Sequence, residues 1–176
     1  MRGRLAACAV LAAVLATPAA AAGPSAADRA FVRAAAQSSR FEVVSAQLAP
    51  LRLKSQTTRG RALRLQRDHT LALAQLKKLA ATAGVAVPAT PSPAQQKVLA
   101  ALRAYKLGTA TRNGKSFDEA FAEAQIAAHR QAIALFRREA ASGRDATLRA
   151  WAKRMVGMLR AHLQTAQEAL RAAPQQ

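Results

Sequence analysis

The pattern of a long amphipathic helix is clearest in residues 61–88, RALRLQRDHTLALAQLKKLAATAGVAVP. One face of this helix carries small and apolar residues at helical spacing together with one histidine: Ala62, Leu65, His69, Ala72, Leu76 and Ala80. We expect the helix to end at Gly84, because glycine accommodates a left-handed cap. The imidazole of His69 is therefore predicted to point into the core. His129 and His162 occupy similar stripes elsewhere in the chain.

Composition favours a helical protein. The chain has 176 residues, of which 51% are hydrophobic and only 4% aromatic, and alanine and leucine dominate. This length fits one domain, and the apolar fraction is sufficient for a core. Alanine and leucine prefer helices to strands, so the composition predicts an all-α fold.

The first 22 residues have the pattern of a secretory signal peptide. Arg2 and Arg4 precede an apolar run over residues 5–16, and small residues follow up to Ala22. The run is shorter than the roughly 20 residues that a membrane-spanning helix needs. We therefore expect cleavage near Ala22 and a periplasmic or secreted chain, residues 23–176, without a transmembrane helix.

The predicted mature chain has no cysteine, since Cys8 is lost with the signal peptide. Disulfides, thiolate metal sites and cysteine nucleophiles are thereby excluded. Removing Arg2 and Arg4 from the formal charge of +18 leaves a strongly cationic chain of +16.

Capping residues divide the mature chain into four long helices. Ser25 with Asp28 begins the first helix, which runs to about Leu48, and Ser116 with Glu119 forms a capping box at the third. Asp145 caps the fourth helix directly after Gly143, so the last two helices are antiparallel neighbours. A short helix begins at Pro93, and residues 108–115 form a break. The pattern predicts an antiparallel four-helix bundle with a short extra helix in the crossover between helices 2 and 3.

Three inward histidines and one carboxylate are candidate metal ligands. Glu42 is the only acid on its face of the first helix, and its distance from the hairpin loop matches that of His69. Counted in residues from the loop between the last two helices, His129 and His162 differ in position along the bundle by about 7 Å, at roughly 1.5 Å per residue. Imidazole and carboxylate ligands suit one transition-metal ion, namely iron, zinc or copper. The alternative is a buried polar network without metal.

Four blocks of the chain resemble one bacterial family. The blocks are FVRAAAQSSRFEVVSAQLA, LRLQRDHTLALAQLKKLAATAGVAVP, FDEAFAEAQIAAHRQAIALF and LRAWAKRMVGMLRAHLQTAQEAL, and their most specific elements are Glu42, Asp68-His69, Phe117-Asp118, His129 and His162-Leu163. They resemble the family called domain of unknown function 4142, which is placed with ferritin-like proteins. The resemblance implies an exported, usually periplasmic, ferritin-like bundle of unestablished function.

The sequence departs from the ligand pattern of ferritin-like di-iron enzymes. Those sites use Glu-x-x-His on two helices, whereas Gln66, Ile126 and Leu159 stand three residues before the three histidines. A di-iron oxidase is therefore disfavoured. A mononuclear site of Glu42 and the three histidines remains, with Asp118 as a further ligand or as a partner of a ligand. Hydrolase, nucleotide-binding and zinc-protease motifs are missing from the sequence, which favours a non-enzymatic protein.

The excess of basic residues supports a second interpretation. Arg61, Arg64 and Arg67 follow one another along the second helix, and the fourth helix carries Arg149, Lys153 and Arg160 on one face. Such faces suit anionic cell-envelope polymers or lipid head groups. A solvated basic surface without a partner is the alternative. Nucleic acid is disfavoured by export and by the lack of aromatic residues among the basic ones.

Overall fold

The computed structural model describes residues 23–105, 111–112 and 114–173. In chain order, its elements are α1 (Ala26–Leu48), α2 (Gln56–Thr82), α3 (Pro93–Arg103), β1 (Thr111–Arg112), β2 (Lys115–Ser116), α4 (Phe117–Ser142) and α5 (Ala146–Arg171). Four long helices and one short crossover helix confirm the predicted all-α bundle. The ferritin-like assignment is a finer statement and stays a prediction. The predicted signal peptide, residues 1–22, lies outside the described residues.

Polar caps start the helices where the sequence predicts. Ser25 and Asp28 form a complete capping box on α1, and Ser92 and Gln95 form another on α3. At α4 the Ser116 hydroxyl accepts the N–H of Glu119, so the described structure shows the serine half of the predicted box. The capping side chains satisfy backbone N–H groups that have no partner inside the helix.

A small hairpin lies in the stretch that the sequence analysis treated as a break. Thr111 pairs with Ser116 and Arg112 with Lys115 in an antiparallel register. Gly114 has a φ of 73°, a conformation that suits glycine because it has no Cβ. The hairpin leads directly into α4.

Two buried aspartates fasten the helical hairpins α1–α2 and α4–α5 to each other. Asp28, at the start of α1, accepts hydrogen bonds from the backbone N–H groups of Arg144 (2.8 Å) and Asp145 (3.2 Å) in the α4–α5 loop. Asp118, at the start of α4, accepts one from the backbone N–H of Lys54 (3.1 Å) in the α1–α2 loop. The first turn of each helical hairpin is thus hydrogen-bonded to the loop of the other hairpin. Helix α4 is therefore antiparallel to α1 and parallel to α2.

The interior is divided into two apolar clusters with a polar layer between them. The lower cluster lies towards the α4–α5 loop and includes Phe31, Leu76, Ala132, Phe136, Trp151 and Leu159. The upper cluster lies towards the α1–α2 loop and includes Ala46, Leu65, Leu102, Tyr105, Phe117 and Phe121. The buried polar residues between them are Ser39, Glu42, Ser45, His69, Gln125 and His129. This polar layer contains the candidate site.

Candidate metal centre

Three histidines from three helices meet in the polar layer. His69 comes from α2, His129 from α4 and His162 from α5. Their ring centroids form an almost equilateral triangle with sides of 5.5, 5.3 and 5.5 Å. One nitrogen from each ring lies within 4.8 Å of the other two, which is close enough for one metal ion to gather them. The convergence that the sequence predicted is therefore present for all three histidines.

The direction of the side chains explains why His129 and His162 meet despite their unequal distances from the loop. In a helix the Cα–Cβ bond tilts towards the N-terminus. Because α4 and α5 are antiparallel, His129 leans away from their loop and His162 leans towards it. The two rings close the axial offset of about 7 Å that the rise per residue predicts, and their centroids lie 5.5 Å apart.

Hydrogen bonds on the outer side of two rings direct their other nitrogens into the triangle. His129 Nδ1 lies 2.9 Å from the backbone oxygen of Gln125, which can only accept, so Nδ1 carries the proton. His162 Nε2 lies 3.1 Å from Asp68 Oδ2, and because the carboxylate likewise can only accept a hydrogen bond, Nε2 carries the proton. His129 Nε2 and His162 Nδ1 therefore present lone pairs. Metal-binding histidines are usually oriented by this kind of outer hydrogen bond.

The third histidine, His69, lacks a hydrogen bond on the outer side of its ring within the described part of the chain. His69 Nε2 lies 3.4 Å from His162 Nδ1, so these two nitrogens face each other. His69 Nδ1 is buried and makes no hydrogen bond among the described residues. His129 Nε2 is also buried without a partner. Two unpaired ring nitrogens in a buried layer are costly, and a metal ion would satisfy at least one of them.

The surroundings keep all three imidazoles neutral, which is the form that binds metal. Burial lowers the pKa of His69 well below its usual value, and the two neighbouring histidines lower it further. Burial also lowers the pKa of His129 to about 4, although the hydrogen bond to Gln125 opposes this. The pKa of His162 is lowered by burial against the opposing effect of Asp68.

Glu42 lies beside the histidine triangle, but it is not a member of the group. Its Oε1 is 3.6 Å from His129 Nδ1, the nitrogen that faces Gln125. Both carboxyl oxygens are buried and have no hydrogen-bond partner among the described residues. Burial raises the pKa of Glu42 well above its usual value and so favours the neutral carboxylic acid when no cation is near. A nearby metal ion would favour its ionised form.

A groove opens next to the triangle. Its volume is about 380 Å³, and its described lining comes from α2, α4 and α5. The lining is mostly apolar, and Asp68, Gln125 and His162 form its inner end. His162 is thus the histidine that this groove reaches.

Comparison with known proteins identifies the family. Residues 13–169 match the sequence profile of a family described as Domain of unknown function (DUF4142). The chain belongs to this family. The bundle of this DUF4142 chain is also similar to a solved structure, the crystal structure of a DUF305 fragment from Deinococcus radiodurans. That similarity has a TM-score of 0.70 at 17% sequence identity and covers 86% of this chain and 99% of the other. It concerns the fold alone. No curated protein matches the chain.

The DUF4142 chain brings together three of the five residues predicted as metal ligands. The group of potential ligands among the described residues consists of His69, His129 and His162. Asp118 binds the backbone of Lys54 instead, and eleven residues separate it from His129, a distance of about 16 Å along α4. Asp68, which the sequence analysis noted only as part of a motif, is the residue that orients His162.

Within the part of the chain that the structure describes, none of the helices has an apolar stretch long enough to span a membrane. The longest, α2, has 27 residues but carries a charged outer face that includes Arg64, Arg67 and Lys78.

Proposed function

We propose that this bundle binds a single transition-metal ion through His69, His129 and His162. The observation that carries the proposal is the convergence of three imidazoles from three helices, two of them buried and that of His162 partly buried, with ring centroids 5.3 to 5.5 Å apart. Imidazole is a common ligand of zinc, copper and iron. Three protein ligands also leave a coordination position open.

The distances suit a tetrahedral ion after a small movement. Metal–nitrogen bonds of roughly 2.0–2.1 Å place neighbouring ligand nitrogens about 3.3 Å apart. His69 Nε2 and His162 Nδ1 are already 3.4 Å apart. The ligand nitrogens of the three histidines lie within 4.8 Å of one another, which is wider than a tetrahedral ion needs. The ring of His129 therefore has to approach the other two rings. A rotation of that side chain about χ1 or χ2 supplies the movement.

The charges near the triangle also favour a cation. Asp68 accepts the His162 N–H and contributes one negative charge at the outer side of that ligand. Glu42 becomes a second negative charge once a metal ion lowers its pKa. A divalent ion with neutral imidazoles would then be balanced by two carboxylates. A metal-free polar network accounts less well for the unpaired nitrogens of His69 and His129 and for both oxygens of Glu42.

The test is a measurement of metal stoichiometry on residues 23–176, which include every described residue. The protein is stripped with a chelator, loaded with zinc, copper or iron, and freed of excess metal. We expect about one ion per chain, lost in the double variant His69→Ala, His129→Ala. Ser45→Ala is the matched control, because Ser45 is buried in the same layer and is hydrogen-bonded to Gln125 and to the backbone oxygen of Glu42, but to none of the three histidines. Equal metal content in the double variant and the wild type would refute the site.

We propose further that the chain is exported and cleaved near Ala22. The support is the sequence of residues 1–22, with its two arginines, apolar run and small-residue end. Expression of the full chain with its own N-terminus, followed by cell fractionation and N-terminal sequencing, tests this. An intact N-terminus on protein from the cytoplasmic fraction would contradict it.

As a second function, we propose binding to anionic polymers or lipid head groups of the cell envelope. Four of the nine acidic residues, Asp28, Glu42, Asp118 and Glu139, are buried. The surface therefore carries far more basic than acidic groups, which favours anionic partners. Sedimentation with anionic vesicles should fall steeply with added salt, whereas zwitterionic vesicles should retain little protein. Equal retention by the two vesicle types would count against this function.

A further inference from the structure

The groove beside the triangle is built by the same three helices that carry the histidines. Its lining comes from α2, α4 and α5 in the described part of the chain. It extends along α2 from Thr58 to Asp68, which is about 15 Å at the helical rise per residue. Alanines at facing positions leave the space open: Ala62, Ala122, Ala161, Ala166 and Ala169.

The groove lies on one side of the histidine triangle, and apolar packing fills the other side. On the upper side lie Leu65 and Gln125, which line the groove one helical turn before His69 and His129. On the lower side lies the lower cluster, where Ala132 and Leu159 are buried in tight apolar packing. An ion held by three nitrogens has its open position on the axis of the triangle. That position therefore faces the groove, because the lower side is filled.

The chemistry of the groove suits an organic anion. Leu65, Phe121 and Met158 give it an apolar wall, and its volume of about 380 Å³ lies within the range of small-molecule sites, roughly 300–1,000 Å³. Arg61 and Arg64 also line it, and they pair with Glu168 and Asp68, respectively. With a divalent ion in the triangle, the positive charge of the ion and the two arginines exceeds the negative charge of Asp68 and Glu168.

We propose that the groove binds a small organic carboxylate, with its carboxylate on the open position of the metal ion and its apolar body along the groove. This inference rests on the proposed metal site and names its external ligand. The apolar wall selects for a hydrocarbon body, and the ion selects for a negative head group. A neutral molecule of the same shape lacks the attraction between a negative head group and the ion.

Cobalt(II) provides the readout, because its visible absorption changes when a ligand enters its coordination sphere. The cobalt-loaded chain is titrated with hexanoate, acetate and hexanol. We expect hexanoate to change the spectrum at concentrations at least about tenfold lower than acetate, since its additional methylene groups become buried. Hexanol should leave the spectrum unchanged. Equal midpoints for hexanoate and acetate would refute a role for the groove.

Variants that fill the groove separate its role from that of the metal. Ala166→Phe and, as an independent variant, Thr165→Phe place a ring in the groove. Both should retain cobalt and the response to acetate but weaken hexanoate at least about tenfold. Ala127→Phe is the matched control on the exposed face of α4 and should behave as the wild type. Thermal melts establish that each variant is folded.

The outcomes distinguish the two proposals. If the wild type retains cobalt but the groove-filling variants bind hexanoate as tightly as the wild type, the groove proposal is wrong and the metal site stands. If the wild type retains no metal, the metal site is wrong and the carboxylate has no ion to bind, so both proposals fail.

Discussion

Glu139→Gln is expected to stabilise the protein at alkaline pH. Glu139 is only 5% exposed, and its Oε1 has no hydrogen-bond partner in the described structure. The carboxyl group packs so closely on Gly143 that a Cβ at that position would collide with it. Burial and the neighbouring Asp28 together raise the pKa of Glu139 to about 7. A glutamine has the shape of the protonated glutamate and carries no charge.

The size and sign of the effect follow from this pKa. The rise from the ordinary value of 4.5 to about 7 corresponds to about 3 kcal/mol. Screening by water near the α4–α5 loop reduces this, and we expect about 2 kcal/mol. Because the pKa is higher in the folded state, the protonated group contributes full stability below pH 4.5, and this is lost as the pH rises through 7. The variant should therefore be more stable than the wild type at pH 8 and similar to it at pH 4.

Thermal and urea denaturation at pH 4, 6 and 8, followed by circular dichroism, would measure the difference. At pH 8 we expect a rise of roughly 4–8 °C in the melting temperature. Glu123→Gln is the control, because Glu123 is exposed and pairs with Lys115. A difference between variant and wild type that does not change with pH would show that folding leaves the pKa of Glu139 unshifted, and would refute the reasoning.

Three further substitutions test other contacts. Asp68→Asn should weaken zinc affinity about 10–100-fold in competition titrations, because the amide is a poorer acceptor for the His162 N–H. Asp28→Ala should lower the free energy of unfolding in urea by about 3 kcal/mol or more, because it frees the N–H groups of Ser25, Arg144 and Asp145. Leu76→Ala removes a fully buried side chain and should cost about 2–5 kcal/mol in the same assay.

Two of these substitutions have a control on the same surface or helix. Glu168→Gln alters the groove-side pair with Arg61 but touches no histidine, so it should leave zinc affinity unchanged. Leu63→Ala removes an exposed leucine from α2 and should change stability by less than about 0.5 kcal/mol. Zinc affinity that is unaltered by Asp68→Asn, or a stability unaltered by Asp28→Ala, would contradict the role given to that carboxylate.

Much of the fold could be predicted because its determinants are local in sequence. The caps at Ser25, Ser92 and Asp145 use residues within three positions of each helix start. The stripe around His69 depends only on helical periodicity. Both kinds of pattern can be recognised without knowing how the helices pack. The hairpin before α4 was missed, although Asn113-Gly114 is a favoured two-residue turn sequence.

The contacts between helices were less predictable. Counting residues from the α4–α5 loop overestimated the separation of His129 and His162, because the count ignores the direction in which each side chain leans. Asp68 lies beside the stripe of α2, and its contact with His162 depends on the rotation of α5 about its axis. Asp118 was proposed as a ligand or a ligand's partner, but its position in the first turn of α4 brings it to the backbone of Lys54.

The anchors formed by Asp28 and Asp118 leave the two connecting loops free to vary in sequence. Both carboxylates bind main-chain N–H groups, at Arg144 and Asp145 in one loop and at Lys54 in the other. Every residue except proline supplies such a group. The side chains of Lys54 and Arg144 can therefore change in size or charge over evolution while the two halves of the molecule stay joined in the same way. Such changes would alter what the loops offer to partners and leave the interior untouched.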